Sequence, residues 1–261
     1  MSAAPRKLAV FKFASCDGCQ LQLLALDELL FQLVERFHLA SFLEVTSRVE
    51  EGPFDVVLVE GSITTPGDAE RIRHIREQAG TLISIGACAT AGGIQALRNA
   101  ADVEEWKAHV YPHPEWLETL ATSTPIAAHV KVDAELHGCP INPEQALRVL
   151  SRALLGAQPD LPNGSVCGEC KRRGQVCVMV TRGIPCLGPA TRAGCGALCP
   201  SLGRDCYGCF GPTTDPNPEA LAERFEQLGL DPAACARRFR GITGASPAFR
   251  RVAEALEPGD G

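Results

Sequence analysis

No stretch of this 261-residue chain reads as an export signal: no basic segment followed by an apolar run opens it, and Pro5-Arg6-Lys7 stands directly before a strand rather than in a twin-arginine leader. No apolar run approaches the ~18 residues of a membrane-spanning helix. The formal net charge of −6 argues against a nucleic-acid partner, whose footprint would be a basic stripe. The six histidines have no metal-binding spacing of their own, and only His137, two residues before Cys139, stands near a candidate ligand. These absences predict a soluble, cytoplasmic protein whose mature form starts near Met1. In a reducing compartment, clustered cysteines bind metal or do redox work more often than they pair. An odd total of thirteen also sits poorly with a closed disulfide framework.

Cysteine is what the chain has in excess. Eight of the thirteen lie from Cys167 to Cys209, in a glycine-rich stretch without a long apolar run. Such a segment cannot bury enough surface to fold unaided, so bound metal must supply the missing stability. Cys16, Cys19, Cys88 and Cys139 lie far upstream. Twelve thiols in three sets of four are the arithmetic of three tetrahedral metal centres. Cys235, between alanines, reads as a packed residue rather than a ligand.

The upstream cysteines fall in an alternation of strand, loop and helix. Residues 8–14, short and apolar, predict a buried parallel strand running into Cys16-Asp17-Gly18-Cys19. Leu23, Leu26, Leu30, Leu33, Val34 and Phe37 then recur at helical steps. Residues 55–60 and 81–85 predict further strands, with Thr65 and Pro66 opening a helix through Ala79 and another helix at about 90–98. A weaker strand over 127–132 leads to Gly138-Cys139-Pro140, and Asn142-Pro143 starts a helix through Leu154. The pattern predicts an α/β protein: a flavodoxin-like doubly wound parallel sheet over 1–157, an irregular cysteine-rich domain over 158–212, and a helical tail over 213–261. Asn217-Pro218, Asp231-Pro232 and Ser246-Pro247 each supply a cap and a first-turn proline for one tail helix. Ligands of such sheets bind outside the carboxyl ends of the strands, where Cys16, Cys19, Cys88 and Cys139 converge.

Zinc and iron–sulfur clusters both accept four thiolates. Zinc sites usually gather local ligands to hold a small fold, whereas the upstream four spread over a sheet that needs no staple. The dense stretch lacks the CxxCxxCxxxCP ferredoxin run, although Cys195-x₃-Cys199-Pro200 echoes its end.

An ordered set of motifs goes further: Cys16-Asp17-Gly18-Cys19, Glu60-Gly61-Ser62-Ile63, Gly86-Ala87-Cys88-Ala89, Gly138-Cys139-Pro140, Pro185-Cys186-Leu187-Gly188-Pro189 and Cys206-Tyr207-Gly208-Cys209. Over residues 8–212 the chain resembles the small, electron-transferring subunits of [NiFe] hydrogenases, in particular the cytoplasmic, bidirectional, NAD(P)-linked or sulfhydrogenase-like type. The resemblance implies a proximal [4Fe–4S] cluster on Cys16, Cys19, Cys88 and Cys139. It implies a distal cluster on Cys167, Cys170, Cys177 and Cys186, and a medial one on Cys195, Cys199, Cys206 and Cys209. It further implies a large subunit carrying the NiFe centre, with FAD and NAD(P) on flavin-binding and ferredoxin-like partner subunits.

Three departures from better-known relatives carry expectations. Cys167 stands where many exported members have a histidine; an added thiolate charge lowers the distal potential, as the opposite exchange raises it in Rieske centres. Cys199 replaces a proline and predicts four irons in the medial cluster. Gln20 follows the CxxC pair where oxygen-tolerant members have an extra cysteine, so no unusual proximal cluster is expected. Glu60, at a strand end, is a candidate proton acceptor. Lys171-Arg172-Arg173, beside Cys170, reads first as a solvated loop, and otherwise as a dock for an acidic partner or a charge that raises the distal potential. Two rival functions remain: a cluster-bearing subunit of a respiratory-type oxidoreductase complex, and a zinc-stabilised interaction protein.

Overall fold

The computed structural model describes residues 5–26, 35–157 and 159–257. The chain divides into two units, Met1–Asp160 and Leu161–Gly261.

In the first unit, β1 (Arg6–Lys12), β2 (Phe37–Phe42), β3 (Phe54–Glu60), β4 (Ala79–Ile85) and β5 (Ala134–Leu136) form one sheet in the order β2-β1-β3-β4-β5. Every pairing is parallel, and the order is that of a flavodoxin-type fold. Val56, Val57, Leu58 and Val59 are all nearly inaccessible, as in a strand covered on both faces. The helices of this unit are α1 (Gly18–Leu24), α2 (Pro66–Gln78), α3 (Gly86–Ala91), α4 (Val103–Val110) and α5 (Pro143–Leu154). At the start of α2 the Asp68 amide donates to Thr65 Oγ1 and the Thr65 amide to Asp68 Oδ2, both at 3.1 Å, a reciprocal cap completed by Pro66. Its Ala69, Ile72 and Ile75 then meet Val57 and Leu82 in the core.

Several local expectations need correcting. Phe37 opens β2, an edge strand that the leucine spacing concealed; Leu30, Leu33 and Val34 lie outside the described residues. Residues 127–132 are not a strand: a 3₁₀ turn spans Ile126–Ala128, and pairing with β4 selects Ala134–Leu136 instead. The helix expected at 90–98 is two pieces, α3 and a 3₁₀ segment Ile94–Ala100, divided by left-handed Gly92 and Gly93. Cys88 therefore sits on a short helix rather than in a loop.

In the second unit α6 (Val166–Arg172), α7 (Val178–Arg182) and α8 (Leu198–Ser201) are short, and α9 (Pro218–Gln227), α10 (Pro232–Phe239) and α11 (Pro247–Leu256) follow. Asn217 and Asp231 cap α9 and α10 by accepting the amides of Ala220 and Ala234. The Ser246 hydroxyl instead donates to Thr243 O. The tail helices share a core with Leu187 and Ala190 of the cysteine-rich segment.

Candidate metal centres

The carboxyl ends of β1, β3, β4 and β5 lie side by side, and each delivers a functional group. Cys16 and Cys19 follow β1, Glu60 ends β3, Cys88 lies on α3 directly after β4, and Cys139 follows β5. The Ala87 amide donates to Gly138 O at 2.7 Å, tying the start of α3 to the Cys139 loop. The four thiols share one neighbourhood. Burial, with Glu60, Cys88 and Cys139 adding repulsion, pushes the Cys19 thiol far up. Burial, Cys139 and Cys16 push Cys88 up to about 11, and burial and Cys16 raise Cys139. Cys19 is buried while Cys16 is exposed.

Glu60 is 1% exposed. Its Oε1 accepts the Cys19 amide at 3.1 Å, while Oε2 is buried without a hydrogen-bond partner. Burial raises its pKa, with the Cys19 and Gln20 amides opposing. A carboxyl so placed can hold a proton at Oε2.

In the second unit, Cys167 and Cys170 lie on α6, Cys177 caps α7 and Cys186 follows it. Burial, then Cys186, Cys177 and Cys170, push Cys167 up to about 11. Burial, then Cys177 and Cys186, raise Cys170. Among the remaining four, Cys199 is raised by burial and Cys195; Cys206 reaches about 12 by burial, with Cys186 and Cys209 adding to it. The Cys206 amide donates to Cys186 Sγ at 3.2 Å and the Gly208 amide to Cys206 Sγ at 3.5 Å. Cys177 is exposed, whereas none of Cys195, Cys199, Cys206 and Cys209 is.

Two positioning residues escaped the sequence reading. Glu169 accepts the amides of Gly194 at 2.9 Å and Ala197 at 3.2 Å, anchoring the Cys195 loop to α6, where Ala197 adopts a left-handed φ of 53°. Gln95 accepts from Cys88 Sγ at 3.4 Å and donates to Ala14 O at 2.9 Å, joining the short helix that carries Cys88 to the loop that carries Cys16. Neither role leaves a local motif, since Gly194 and Ala197 are 25 and 28 residues from Glu169 and Ala14 is 81 from Gln95. His137 faces Glu135 at 3.6 Å. Cys235 is fully buried in a cluster with Leu221, Phe225 and Phe239.

Among the described residues, no three His, Cys, Asp or Glu side chains gather tightly enough to hold a single metal ion. Iron–sulfur clusters bind each thiolate through its own iron, so their ligands stand further apart. The donor chemistry fits such groups: buried thiols that repel one another keep their protons until a cation reverses the balance. Space is also kept beside the sulfurs. A Cβ on Gly86, whose φ is +86°, would fall 2.3 Å from Cys19 Sγ, and one on Gly93, whose φ is +63°, 2.5 Å from Cys88 Sγ.

Strand-end thiols on a doubly wound sheet, followed by a thiol-rich unit, are an oxidoreductase architecture. Residues 16–153 match the family described as "NADH ubiquinone oxidoreductase, 20 Kd subunit", and the chain belongs to that family. It is 36% identical over 234 residues to sulfhydrogenase 2 subunit delta of Pyrococcus furiosus, covering 90% of this chain and 98% of the relative. It is 33% identical over 239 residues to a subunit of the F420-non-reducing hydrogenase vhu of Methanococcus voltae, covering 80% and 83%. A chain of an NAD+-reducing [NiFe]-hydrogenase solved in the H2-reduced state superposes with a TM-score of 0.57 at 29% identity, covering 60% of this chain and 96% of its own. Within the family, then, this is a subunit of the [NiFe]-hydrogenase type. No helix among the described residues is long and apolar enough to cross a membrane.

Proposed function

We propose that the chain is the electron-relay subunit of a [NiFe] hydrogenase complex and holds three [4Fe–4S] clusters. Cys16, Cys19, Cys88 and Cys139 hold the proximal one; Cys195, Cys199, Cys206 and Cys209 the medial; Cys167, Cys170, Cys177 and Cys186 the distal. The observation that carries this reading is placement: Cys16, Cys19, Cys88 and Cys139 converge just after β1, β4 and β5, while Cys167 and Cys170 on α6, Cys177 at the start of α7 and Cys186 after it lie close along one segment. When bound, such clusters take up and release single electrons.

The chain's own residues hold and tune them. Amides aimed at Cys186 and Cys206 stabilise thiolate charge, which raises potential. Cys16 and Cys177 give the proximal and distal sets an exposed edge, as the two ends of a relay require, while the medial set has no exposed cysteine. Glu60 takes a proton at Oε2. A large subunit supplies the NiFe centre, where H2 is split or formed, and a flavin-bearing, NAD(P)-linked partner takes or gives the electrons, in the cytoplasm. Anaerobic purification followed by metal analysis tests the reading: about twelve irons per chain are expected from three four-iron clusters, and stoichiometric zinc with no reducible EPR signal would sink it.

A further inference from the structure

The charge of the molecule is unevenly placed. Residues 161–209 contain six basic residues against two acidic ones, a net +4 within a chain of net −6, leaving −10 for the rest. Both acidic side chains are engaged inside the unit: Glu169 holds the Gly194 and Ala197 amides, and Asp205 pairs with Arg238 at 2.5 Å. Lys171, Arg172, Arg173, Arg182 and Arg204 are all exposed, and among the described residues none of the five makes an ion pair with a carboxylate.

Three of these cations, Arg173, Arg182 and Arg204, belong to one surface, and Lys171 and Arg172 on α6 directly precede Arg173. Arg173 Nη1 donates to Ser201 Oγ at 3.4 Å, Arg182 donates to Gly203 O, and Arg204 Nη2 donates to Tyr207 Oη at 2.7 Å. The α6 and α7 turns around Cys177 are thereby tied to the loop that follows Cys199. Four apolar side chains stand open between the arginines: Val176 at 69%, Val180 at 76%, Leu198 at 60% and Leu202 at 73% exposure. Exposed Cys177 lies among them.

Open apolar groups gathered beside exposed arginines mark an interaction surface rather than a wholly solvated face. Five unpaired cations specify the charge of what covers it. A second copy in a two-fold pairing would set this positive face against itself. We propose that the surface docks a redox protein whose cofactor is rimmed by carboxylates, bringing it against the second thiol set. This rests on the relay function proposed above.

The test uses the anaerobically purified complex of this chain with its large subunit, and an acidic plant-type [2Fe–2S] ferredoxin as probe. The rate constant for ferredoxin reduction under H2 is measured against salt for the wild type, for K171E/R172E, and for R237E, an exposed charge change on α10. EPR counts the clusters in each. The double variant should be about tenfold slower at low salt, with the gap closing at about 0.5 M, where charges are screened; R237E should match the wild type. Equal rates for the double variant with clusters intact overturn the docking proposal. Co-sedimentation of the complex with anionic vesicles, alongside equal ferredoxin rates, assigns the face to a lipid surface and overturns it as well. A wild type without cluster EPR signals overturns the relay reading itself.

Discussion

The first unit sets its four thiols after β1, β4 and β5, on a sheet whose core of Ala9, Val57, Val59, Ile72 and Leu82 is complete without them. In the second unit, Cys186 and Cys206 are themselves core residues, in a small cluster with Val166, Val178 and Ala197 against which Met179 and Ile184 pack. The helices around them are also short: seven residues in α6, five in α7 and four in α8. Helices of that length have no stability of their own in water. Thiols can therefore be hung on a finished fold or be the reason a fold exists, and this chain does both.

Removing the metal should break the contrast open most widely. Anaerobic chelation is expected to abolish hydrogen-exchange protection over 161–212 while β1, β3 and β4 stay protected, because structural metal is worth about 10 kcal/mol or more to a small metal-dependent fold. Equal loss from both units would contradict the comparison. Next in size, Leu82→Ala empties a fully buried site and should cost about 2–5 kcal/mol in a denaturant melt of the sheet. Under the proposed relay, the iron count of the second unit should not change.

Glu169→Gln should cost about 1–3 kcal/mol by weakening the acceptor for two amides. Its signature is faster exchange at 194–197, with no change in the sheet. The smallest effect belongs to Asp133. Burial works against its charged form, but the Leu82 amide at 2.8 Å and Arg76 at 2.7 Å outweigh that and hold its pKa low. A depressed carboxylate contributes stability that is complete above the ordinary carboxylate range and lost as pH falls through the lowered value. Asp133→Asn should flatten that part of the acid limb, and a pH series of melts would read it.

The sequence signalled its elements wherever local chemistry decided them. Thr65-Pro66, Asn142-Pro143, Asn217-Pro218 and Asp231-Pro232 announce helices because cap and proline act within one turn. The apolar run of β3 announces itself through burial on both faces. β2 and β5 were hidden for the opposite reason. Phe37–Phe42 continues a helical leucine spacing, and Ala134–Leu136 has three residues of modest strand preference, so the neighbouring strand decides both. The candidate thiols were legible by residue type and density. Glu169 and the tie from Gln95 to Ala14 were not, since these arise when loops 25 to 81 residues away fold against them.

Everything turns on whether twelve thiols hold three clusters. Native mass spectrometry of the anaerobically purified chain counts them in one spectrum. Three four-iron, four-sulfur units per chain are predicted, falling to two in Cys88→Ala. A single cluster, or zinc in place of iron, would contradict the account.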